Sequence, residues 1–162
     1  MLLRRAQADD ASRIGQLFYD TITRINAADY SPVQVEAWRG GWQNLAGWQD
    51  KIREQYFLVA EQDAELMGFA SLAADGYLDF LFVSADHQRQ GIARQLWQAL
   101  LAEATRLGLT QVYTNASCTA RPFFAHQGFV VEREQQPVVR GVALTNYRMV
   151  RPLPSTAPDT DF

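Results

Sequence analysis

The chain has 162 residues, a formal net charge of −3, and a composition of 48% hydrophobic and 20% charged residues. This composition is ordinary for one globular domain and argues against disorder over most of the length. No run rich in lysine and arginine is present, so the sequence predicts no nucleic-acid partner. No stretch reaches the ~20 apolar residues that a membrane-spanning helix needs, so no membrane partner is predicted.

Cysteine and histidine are too few for two common kinds of site. Cys118 is the one cysteine of the chain, which rules out an intramolecular disulfide and a cysteine-rich zinc site. His87 and His126 lack the i, i+4 spacing of a zinc-protease helix, so we expect no metal. The opening Met1–Arg5 leads into acidic residues and not into the apolar core of a signal peptide. We therefore expect a cytoplasmic protein.

The first third of the chain has a helical period. Apolar residues from Ile14 to Ile25 recur three and four positions apart. Ser31 is a favoured N-cap and Pro32 is tolerated at a first helical position, so a second helix is predicted to begin there. The predicted elements are, in order, a short strand over 2–6, a helix over 9–28, the helix from 31, a loop over 39–47 and one or two helical turns over 50–55.

The rest of the chain alternates between strand and helix periods. Asp75-Gly76 is a strong hairpin signal, and Gly108 and Gly128 stand where helix C-termini place glycine. The predicted elements are strands over 56–60, 66–73 and 77–83, a helix over 90–107, a strand over 110–115, a short helix over 122–127, and closing strands over 129–134 and 142–150 on either side of a loop near 137–141.

This order of elements predicts an α/β fold in a single domain. Its sheet is mixed but mostly antiparallel, with about six to seven strands and with helices on both faces. We place the domain at residues 1–151. Residues 152–162 are rich in Pro, Ser, Thr and Asp and are expected to form a flexible C-terminal tail.

The segment from Tyr77 to Arg94 carries the clearest chemical signal. An apolar strand enters a polar loop and then an amphipathic helix, whose first turn has unpaired N–H groups and the positive end of the dipole. Gly91 removes a Cβ where an anion would approach, and Arg89 and Arg94 add positive charge. The segment predicts a diphosphate site, although a chance glycine at a helix start has the same pattern. A P-loop and a dinucleotide-binding glycine motif are both absent.

Two motifs in this order resemble those of the GNAT acetyltransferases. Gln88-x-x-Gly91-x-Ala93 after an apolar strand is similar to the family's Q/R-x-x-G-x-G/A motif. Downstream, Ala120–Phe129 is similar to its A-x-x-F-Y-x-x-x-G-F segment. Residues 31–38 and 144–149 further resemble a bacterial subgroup of the family.

The resemblance implies an acyl-CoA site between two adjacent parallel strands that splay apart. The pantetheine arm would pair with an exposed strand edge, and the pyrophosphate would lie on helix N-terminal amides. Of Phe123 and Phe124, one is expected in the core and the other near acetyl-CoA, the implied cosubstrate. The cofactor-binding residues expected on this basis are Leu81, Phe82, Val83, Gln88, Arg89, Gln90, Gly91, Ile92, Ala93, Arg94, Asn115 and Phe124.

The reaction that the resemblance implies is direct transfer of an acyl group to an amine, which needs a base or a water chain. Asp79 is the first candidate base, because a charge within an apolar strand demands an explanation. Strict alternation would place it on one face with Leu81 and Val83; the alternatives are a position at the solvent-exposed start of the strand or a pair with an arginine. Glu36 and Glu65 are weaker candidates.

The departing thiolate lacks the proton donor that many members of the family carry. Phe124 stands at the position of the tyrosine in the F-Y pair and cannot donate a proton. Cys118, Tyr147 or solvent would have to substitute, or no acid is needed. Cys118 also suggests a covalent acyl-enzyme, but it lacks an obvious His/Asp partner set, and a small buried thiol is the alternative. His126 is a further candidate for a proton shuttle.

The N-terminal helices and the loop near the final hairpin are expected to bind the acceptor, a small-molecule amine or a peptide. The aromatic content of the N-terminal half supports this prediction, with core packing as the alternative role. The predicted function is an N-acetyltransferase that works through a ternary complex. A non-catalytic acyl-CoA-binding regulatory module and a fold for another phosphate ligand are the alternatives, and a homodimer is possible. The aromatic residues of the N-terminal half that support acceptor binding are Tyr19, Tyr30, Trp38, Trp42 and Trp48.

Overall fold

The structure is a computed structural model that describes residues 1–154. Five α-helices and nine strands alternate along these residues, with three short 3-10 turns at 8–10, 26–28 and 85–87. The helices are α1 (Ala11–Arg24), α2 (Pro32–Arg39), α3 (Leu45–Glu54), α4 (Ile92–Arg106) and α5 (Arg121–His126). The strands are β1 (Leu2–Arg5), β2 (Tyr56–Gln62), β3 (Glu65–Leu72), β4 (Tyr77–Val83), β5 (Gln111–Ser117), β6 (Val130–Gln135), β7 (Val138–Val139), β8 (Val142–Ala143) and β9 (Asn146–Pro152).

Seven strands form one sheet in the order β1-β2-β3-β4-β5-β9-β6. Every neighbouring pair is antiparallel except β4 and β5, which are parallel because the chain returns through the crossover helix α4. The predicted α/β class, the mostly antiparallel mixed sheet and the number of strands are confirmed.

Helices cover both faces of the sheet and create two separate apolar cores. The α4 core lies on the face of α4 and α5 and includes the fully buried Leu96, Trp97 and Leu100. The α1 core lies on the opposite face, beneath α1 to α3, and includes the fully buried Ile14 and Ile22. Each such large side chain contributes about 1.5–3 kcal/mol when it leaves water. The two cores fix the helices on which the site described below depends.

The parallel strands β4 and β5 separate almost as soon as they meet. They pair only where Tyr77 faces Tyr113 and where Leu78 faces Thr114. Beyond this point, residues 79–83 of β4 continue without a partner on the β5 side. The sheet therefore contains the splayed pair that the family resemblance implies.

Asp79 forms a β-bulge at the start of this separation. In the ladder between β3 and β4, Ser71 faces Phe80 and Leu72 faces Leu78, which leaves Asp79 without a partner. A bulge interrupts the alternation of side chains between the two faces of a sheet and re-aims the side chains beside it.

The bulge moves Asp79 to the face opposite the one expected. Leu81 and Val83 pack against the α4 core, whereas Phe82 packs against the α1 core. The Asp79 carboxylate contacts Lys51 of α3, on the α1 side of the sheet. The expectation that Asp79 shares a face with Leu81 and Val83 is therefore wrong, because strict alternation fails at the bulged residue.

The N-terminal helices begin and end at different residues from those predicted. The single helix expected over 9–28 is an α-helix flanked by two 3-10 turns. Helix α3 begins at Leu45, five residues before the predicted turn, because the Asn44 side chain accepts the N–H of Gly47 at 3.1 Å and caps the helix. Gly47 thus lies inside a helix, where its sequence neighbours suggested a loop.

Residues 138–143 form a hairpin where the sequence suggested a loop followed by one long strand. Arg140 and Gly141 both have positive φ, 46° and 79°, as the two central residues of a type I′ turn require. The strand predicted over 142–150 is consequently two strands, β8 and β9, separated by Leu144 and Thr145.

Two hydrogen bonds tie this hairpin to α2. Arg140 Nη1 donates to the Ala37 carbonyl oxygen at 2.9 Å, and Gln34 Nε2 donates to the Ala143 carbonyl oxygen at 3.0 Å. The predicted Ser31 cap is also present, since the Ser31 hydroxyl accepts the N–H of Gln34 and the Gln34 side chain accepts the N–H of Ser31.

Strand β9 extends past the predicted domain boundary at residue 151. Pro152 faces Gln111 in the sheet, and the N–H of Leu153 donates to the Thr110 carbonyl oxygen at 2.9 Å. The remainder of the predicted tail, residues 155–162, lies outside the described residues. Across residues 1–154, every helix falls short of the length and apolar character needed to cross a bilayer.

Candidate active site

A cleft of about 660 Å³ opens where β4 and β5 separate. Side chains and backbone from β4, β5, the start of α4, α1, α2 and α5 line it, together with the segment around the β7–β8 hairpin. Every residue expected to bind the cofactor lines this cleft except Gln90. Those that line it are Leu81, Phe82, Val83, Gln88, Arg89, Gly91, Ile92, Ala93, Arg94, Asn115 and Phe124.

The loop that enters α4 forms a backbone cradle at one end of the cleft. Arg89 has a φ of 60°, and Gly91, the N-cap residue, has a φ of 78°. Left-handed residues in such a turn direct successive N–H groups into a concave anion site. The first turn of α4 adds the free N–H groups and the positive end of the helix dipole.

Gly91 meets open space and not a crowded backbone. A Cβ built at Gly91 has no atom within 4 Å, so glycine is required for its positive φ and its missing side chain leaves the cradle open. Arg89 and Arg94 line the same end of the cleft with exposed side chains. This end of the cleft therefore carries positive charge and free backbone donors.

Side-chain hydrogen bonds join both the cradle loop and helix α1 to the end of β4. Gln88 Nε2 donates to the Val83 carbonyl oxygen at 2.8 Å and to the Ser84 carbonyl oxygen at 3.2 Å. Thr21 Oγ1 of α1 donates to the same Val83 oxygen at 3.0 Å. The Gln88 side chain thus braces the loop, and its role in the motif is to position the backbone.

The unpaired edge of β4 forms the floor at the middle of the cleft. Leu81, Phe82 and Val83 are half-buried although they belong to a central strand. The edge that they present towards β5 has the backbone donors and acceptors that an extended ligand can use as a strand would.

A row of neutral polar side chains crosses the floor from β4 to β9. Asn115 Nδ2 donates to the Tyr77 hydroxyl oxygen at 3.3 Å, and Gln135 Nε2 donates to Asn115 Oδ1 at 3.0 Å. Gln135 Nε2 also donates to Asn146 Oδ1 at 3.0 Å. Asn115 lies within β5 and not at its end, and the row fixes its side chain.

Asp79 lines the cleft, with a side chain that is 13% exposed. Its Oδ2 lies 3.0 Å from Lys51 Nζ and accepts a hydrogen bond of 2.8 Å from Gln55 Nε2. An ion pair, the expected alternative, is therefore present, with Lys51 in place of the expected arginine, and the carboxylate still borders the cleft.

Cys118 and Tyr147 do not line the cleft. Cys118 Sγ lies 3.7 Å from the Thr145 carbonyl oxygen, and its backbone N–H donates to the Tyr30 hydroxyl at 2.9 Å. The Tyr147 hydroxyl donates to Glu134 at 3.1 Å, and this hydrogen bond raises the pKa of Tyr147. The other three candidates for proton transfer, Glu36, Glu65 and His126, are exposed and also lie off the cleft.

The two adjacent phenylalanines of α5 both border the cleft, but they differ in burial. Phe124 is 3% exposed and packs edge-on against Phe129 in the α4 core. Phe123 is half-buried, and both residues line the cleft.

Several lining residues carry no signal in the sequence. Asn26 follows α1 and is 6% exposed, and its Oδ1 accepts no hydrogen bond. Tyr77 begins β4, and Asn146 begins β9. Tyr30 was expected only as one of several aromatic residues, yet its hydroxyl accepts the Cys118 N–H and donates to the Thr145 carbonyl oxygen at 2.7 Å. Burial raises the pKa of Tyr30.

No cluster of three or more histidine, cysteine, aspartate or glutamate side chains that could hold a metal ion occurs within residues 1–154.

Comparisons with known proteins agree on one family. The chain matches the model of the acetyltransferase (GNAT) domain over residues 26–151. It is 31% identical over 147 residues to YafP of Escherichia coli K12, which is described as an uncharacterized N-acetyltransferase. That match covers 91% of this chain and 93% of YafP.

Two solved structures share the fold. A GCN5-related N-acetyltransferase from Rhodopseudomonas palustris superposes with a TM-score of 0.91 at 30% identity, covering 94% of this chain and 95% of that one. The PaiA N-acetyltransferase from Thermoplasma acidophilum, in complex with coenzyme A, gives a TM-score of 0.77 at 18% identity, covering 94% of this chain and 98% of that one.

Proposed function

The chain belongs to the GNAT acetyltransferase family, and we propose that it transfers an acetyl group directly from acetyl-CoA to the amine of an acceptor bound in the same cleft. It is an acyl-CoA-dependent N-acetyltransferase with acetyl-CoA as its cosubstrate. The observation that carries the proposal is the continuity of one cleft from the backbone cradle, past the open edge of β4, to an aromatic far end. Donor and acceptor can therefore occupy it together.

The pyrophosphate of the donor binds at the cradle. The positive φ of Arg89 and Gly91, the first-turn N–H groups of α4 and the side chain of Arg94 all favour a dianion there. The open space beside Gly91 leaves room for the phosphate oxygens to reach the backbone.

The pantetheine arm lies in the gap between β4 and β5 as an added strand. Its amides exchange hydrogen bonds with the unpaired edge of residues 79–83. This orientation directs the thioester away from the cradle and towards the α1 face, where Phe82 points.

The chemical step forms one bond and breaks one bond. The amine lone pair attacks the thioester carbonyl carbon, the C–N bond forms, and the C–S bond breaks with its electron pair on sulfur. The amine loses one proton and the CoA thiolate gains one, so the products are an acetamide and free CoA. The enzyme supplies orientation, a route for the proton, and N–H groups for the oxyanion.

We propose that the Asp79 carboxylate accepts the proton that the amine loses. Among the residues that line the cleft it is the one carboxylate within the described part of the chain, and the bulge places it on the acceptor face of the sheet. Lys51 and Gln55 hold the carboxylate in position. The CoA thiolate requires no dedicated acid. A thiolate is a good leaving group because thiols are fairly acidic, with a pKa of about 8.5 for free cysteine, and solvent can protonate it after it departs. The phenylalanine at position 124 is compatible with this route.

A cytoplasmic location is part of the proposal, since acetyl-CoA is an intracellular cosubstrate. The homodimer stays a prediction. A regulatory module without catalysis is less well supported, because the cleft extends beyond the unpaired edge of β4 to a second end lined by aromatic side chains.

The test is acetyl-CoA titration by calorimetry followed by amine-dependent release of CoA, with mass spectrometry of the acetylated product. We expect saturable binding of acetyl-CoA and a product heavier by one acetyl group. Binding without turnover across chemically diverse amines would favour the regulatory module instead.

A further inference from the structure

The far end of the cleft is walled by four aromatic side chains in contact with one another. The Phe18 and Phe82 ring centroids lie 5.1 Å apart, those of Trp38 and Phe82 6.4 Å, and those of Tyr30 and Trp38 5.2 Å. All four line the cleft. We refer to Phe18, Tyr30, Trp38 and Phe82 as the aromatic wall. It extends from the splay in the sheet, where the thioester is proposed to lie, outward to α2.

Apolar residues of the β7–β8 region face the same space. Pro137, Val139 and Leu144 line the cleft, and Val139 and Leu144 pack with the α1 core. The two hydrogen bonds that join this hairpin to α2 connect the opposite sides of the far end. The far end is therefore a bounded apolar pocket and not an open groove on the surface.

Few charged side chains line the cleft. Arg89 and Arg94 lie at the cradle, and Asp79, the only carboxylate on the lining within residues 1–154, is already paired with Lys51. A ligand with several ammonium groups would lose its hydration in an apolar pocket without a counter-charge for each one, which costs several kcal/mol per ion.

We propose that the acceptor is a small primary monoamine on an apolar body, with the body against the aromatic wall and the amino nitrogen directed towards the thioester. This inference rests on the proposed acetyltransferase function and specifies its acceptor class. Polyamines, aminosugars with several amino groups, and basic peptides are poor acceptors on this basis.

The test compares amines at equal concentration by acetyl-CoA-dependent release of CoA. Phenethylamine and hexylamine represent the proposed class, and spermidine and a lysine-containing peptide represent the alternatives. We expect kcat/KM for phenethylamine to exceed that for spermidine by at least about tenfold, since apolar pockets discriminate by this order. A higher value for spermidine or the peptide, or no acetylation of either monoamine, would overturn the inference.

Substitutions test whether the preference for apolar monoamines arises at the aromatic wall. Trp38→Ala should raise KM for phenethylamine by roughly tenfold, while calorimetric binding of acetyl-CoA stays unchanged. Trp42→Ala is the matched control, because Trp42 packs against Tyr19 off the cleft. Trp38→Glu should shift preference towards spermidine, and equal losses for every amine in Trp38→Ala and Trp42→Ala would contradict the assignment.

Acetyl-CoA binding separates the two levels of the proposal. It reports folding of each variant and does not depend on the acceptor. Absence of acetyl-CoA binding by the wild type removes the proposed function and this inference together. Intact binding with turnover of polyamines or peptides removes only the inference.

Discussion

Lys51 Nζ and Asp79 Oδ2 lie 3.0 Å apart across the junction between α3 and the bulge of β4. Gln55, which follows the last residue of α3, adds a hydrogen bond to the same oxygen at 2.8 Å. The carboxylate is therefore oriented by two donors from a rigid helix end, and the bulge brings it to the face from which the amine is proposed to arrive. Orientation and charge pairing are separable, which makes the role of Asp79 testable.

Substitution Asp79→Asn should lower kcat by roughly 10²-fold or more, because general-base catalysis contributes about that factor. Acetyl-CoA binding, measured by calorimetry, should stay within about twofold of the wild type, since the cradle is remote from the substitution.

Lys51→Met is the control for that experiment. It removes the ion pair but leaves the carboxylate and Gln55 in place. The kcat of Lys51→Met should stay well above that of Asp79→Asn if Asp79 takes the proton. Equal losses of kcat in the two variants would show that Asp79 acts only by holding α3.

Gly91→Glu should abolish measurable binding of acetyl-CoA. The new side chain fills the open space at the cradle, its charge repels the pyrophosphate, and positive φ adds strain of about 1 kcal/mol. Calorimetric titration with acetyl-CoA measures the effect.

Gly108→Glu is a matched control at the other end of α4. Gly108 also has a positive φ, 72°, and open space around its Cβ position, so it suffers the same strain. It lies roughly 25 Å away along the helix at about 1.5 Å per residue. Both variants should lose similar stability in thermal melts, and only Gly91→Glu should lose the ligand. Loss in both would assign the effect to helix stability.

Gln88→Ala should weaken acetyl-CoA binding by roughly 30-fold, because two hydrogen bonds that brace the cradle disappear and each contributes about 1 kcal/mol. Gln90→Ala, at an exposed position off the cleft, should bind as the wild type does. Equal affinities in the two variants would contradict the bracing role of Gln88.

The ion network around Asp10 predicts a pH-dependent part of the stability. Hydrogen bonds from Arg4, together with the Gln7 N–H and Arg13, hold the pKa of the buried Asp10 carboxyl well below its usual range, against the opposing effect of burial. Because the pKa is lower in the folded state, the stabilisation is complete above about pH 5 and declines as pH falls below the unfolded-state value near 3.9.

Urea unfolding of Asp10→Asn measures this contribution. The variant should lose about 3 kcal/mol at pH 7, as broken buried ion pairs do, and the difference from the wild type should shrink near pH 3. Asp9→Asn, at the exposed neighbouring position, should stay within about 0.5 kcal/mol of the wild type at both values. A difference that is constant with pH would exclude ionisation of Asp10 as its cause.

Most of the fold could be predicted because its signals are local. The hairpin turn at Asp75-Gly76, the cap at Ser31 and the glycine at 108 each specify backbone geometry within a few residues. The cradle was predictable for the same reason, since the loop and first turn of α4 are contiguous in sequence.

The N-terminal helices and the loop near the final hairpin were expected to bind the acceptor, but the individual residues of that face could not be predicted in this way. Asp79 faces it through a bulge that depends on the register between β3 and β4, and no property of residue 79 alone reveals that register. Asn26 enters the cleft from a turn after α1, and Val139 from a hairpin more than a hundred residues later. Such residues share no sequence pattern because only tertiary packing brings them together.

The short pairing between β4 and β5 divides the sheet into two groups of strands. One contains β1 to β4, the other contains β5, β9 and β6, and backbone pairing joins them only at Tyr77 with Tyr113 and Leu78 with Thr114. If the donor fills the gap as proposed, its pantetheine arm connects the two groups of strands by hydrogen bonds. Binding of acetyl-CoA would then reduce the motion of the two groups relative to each other, and release of CoA would restore that motion in each turnover.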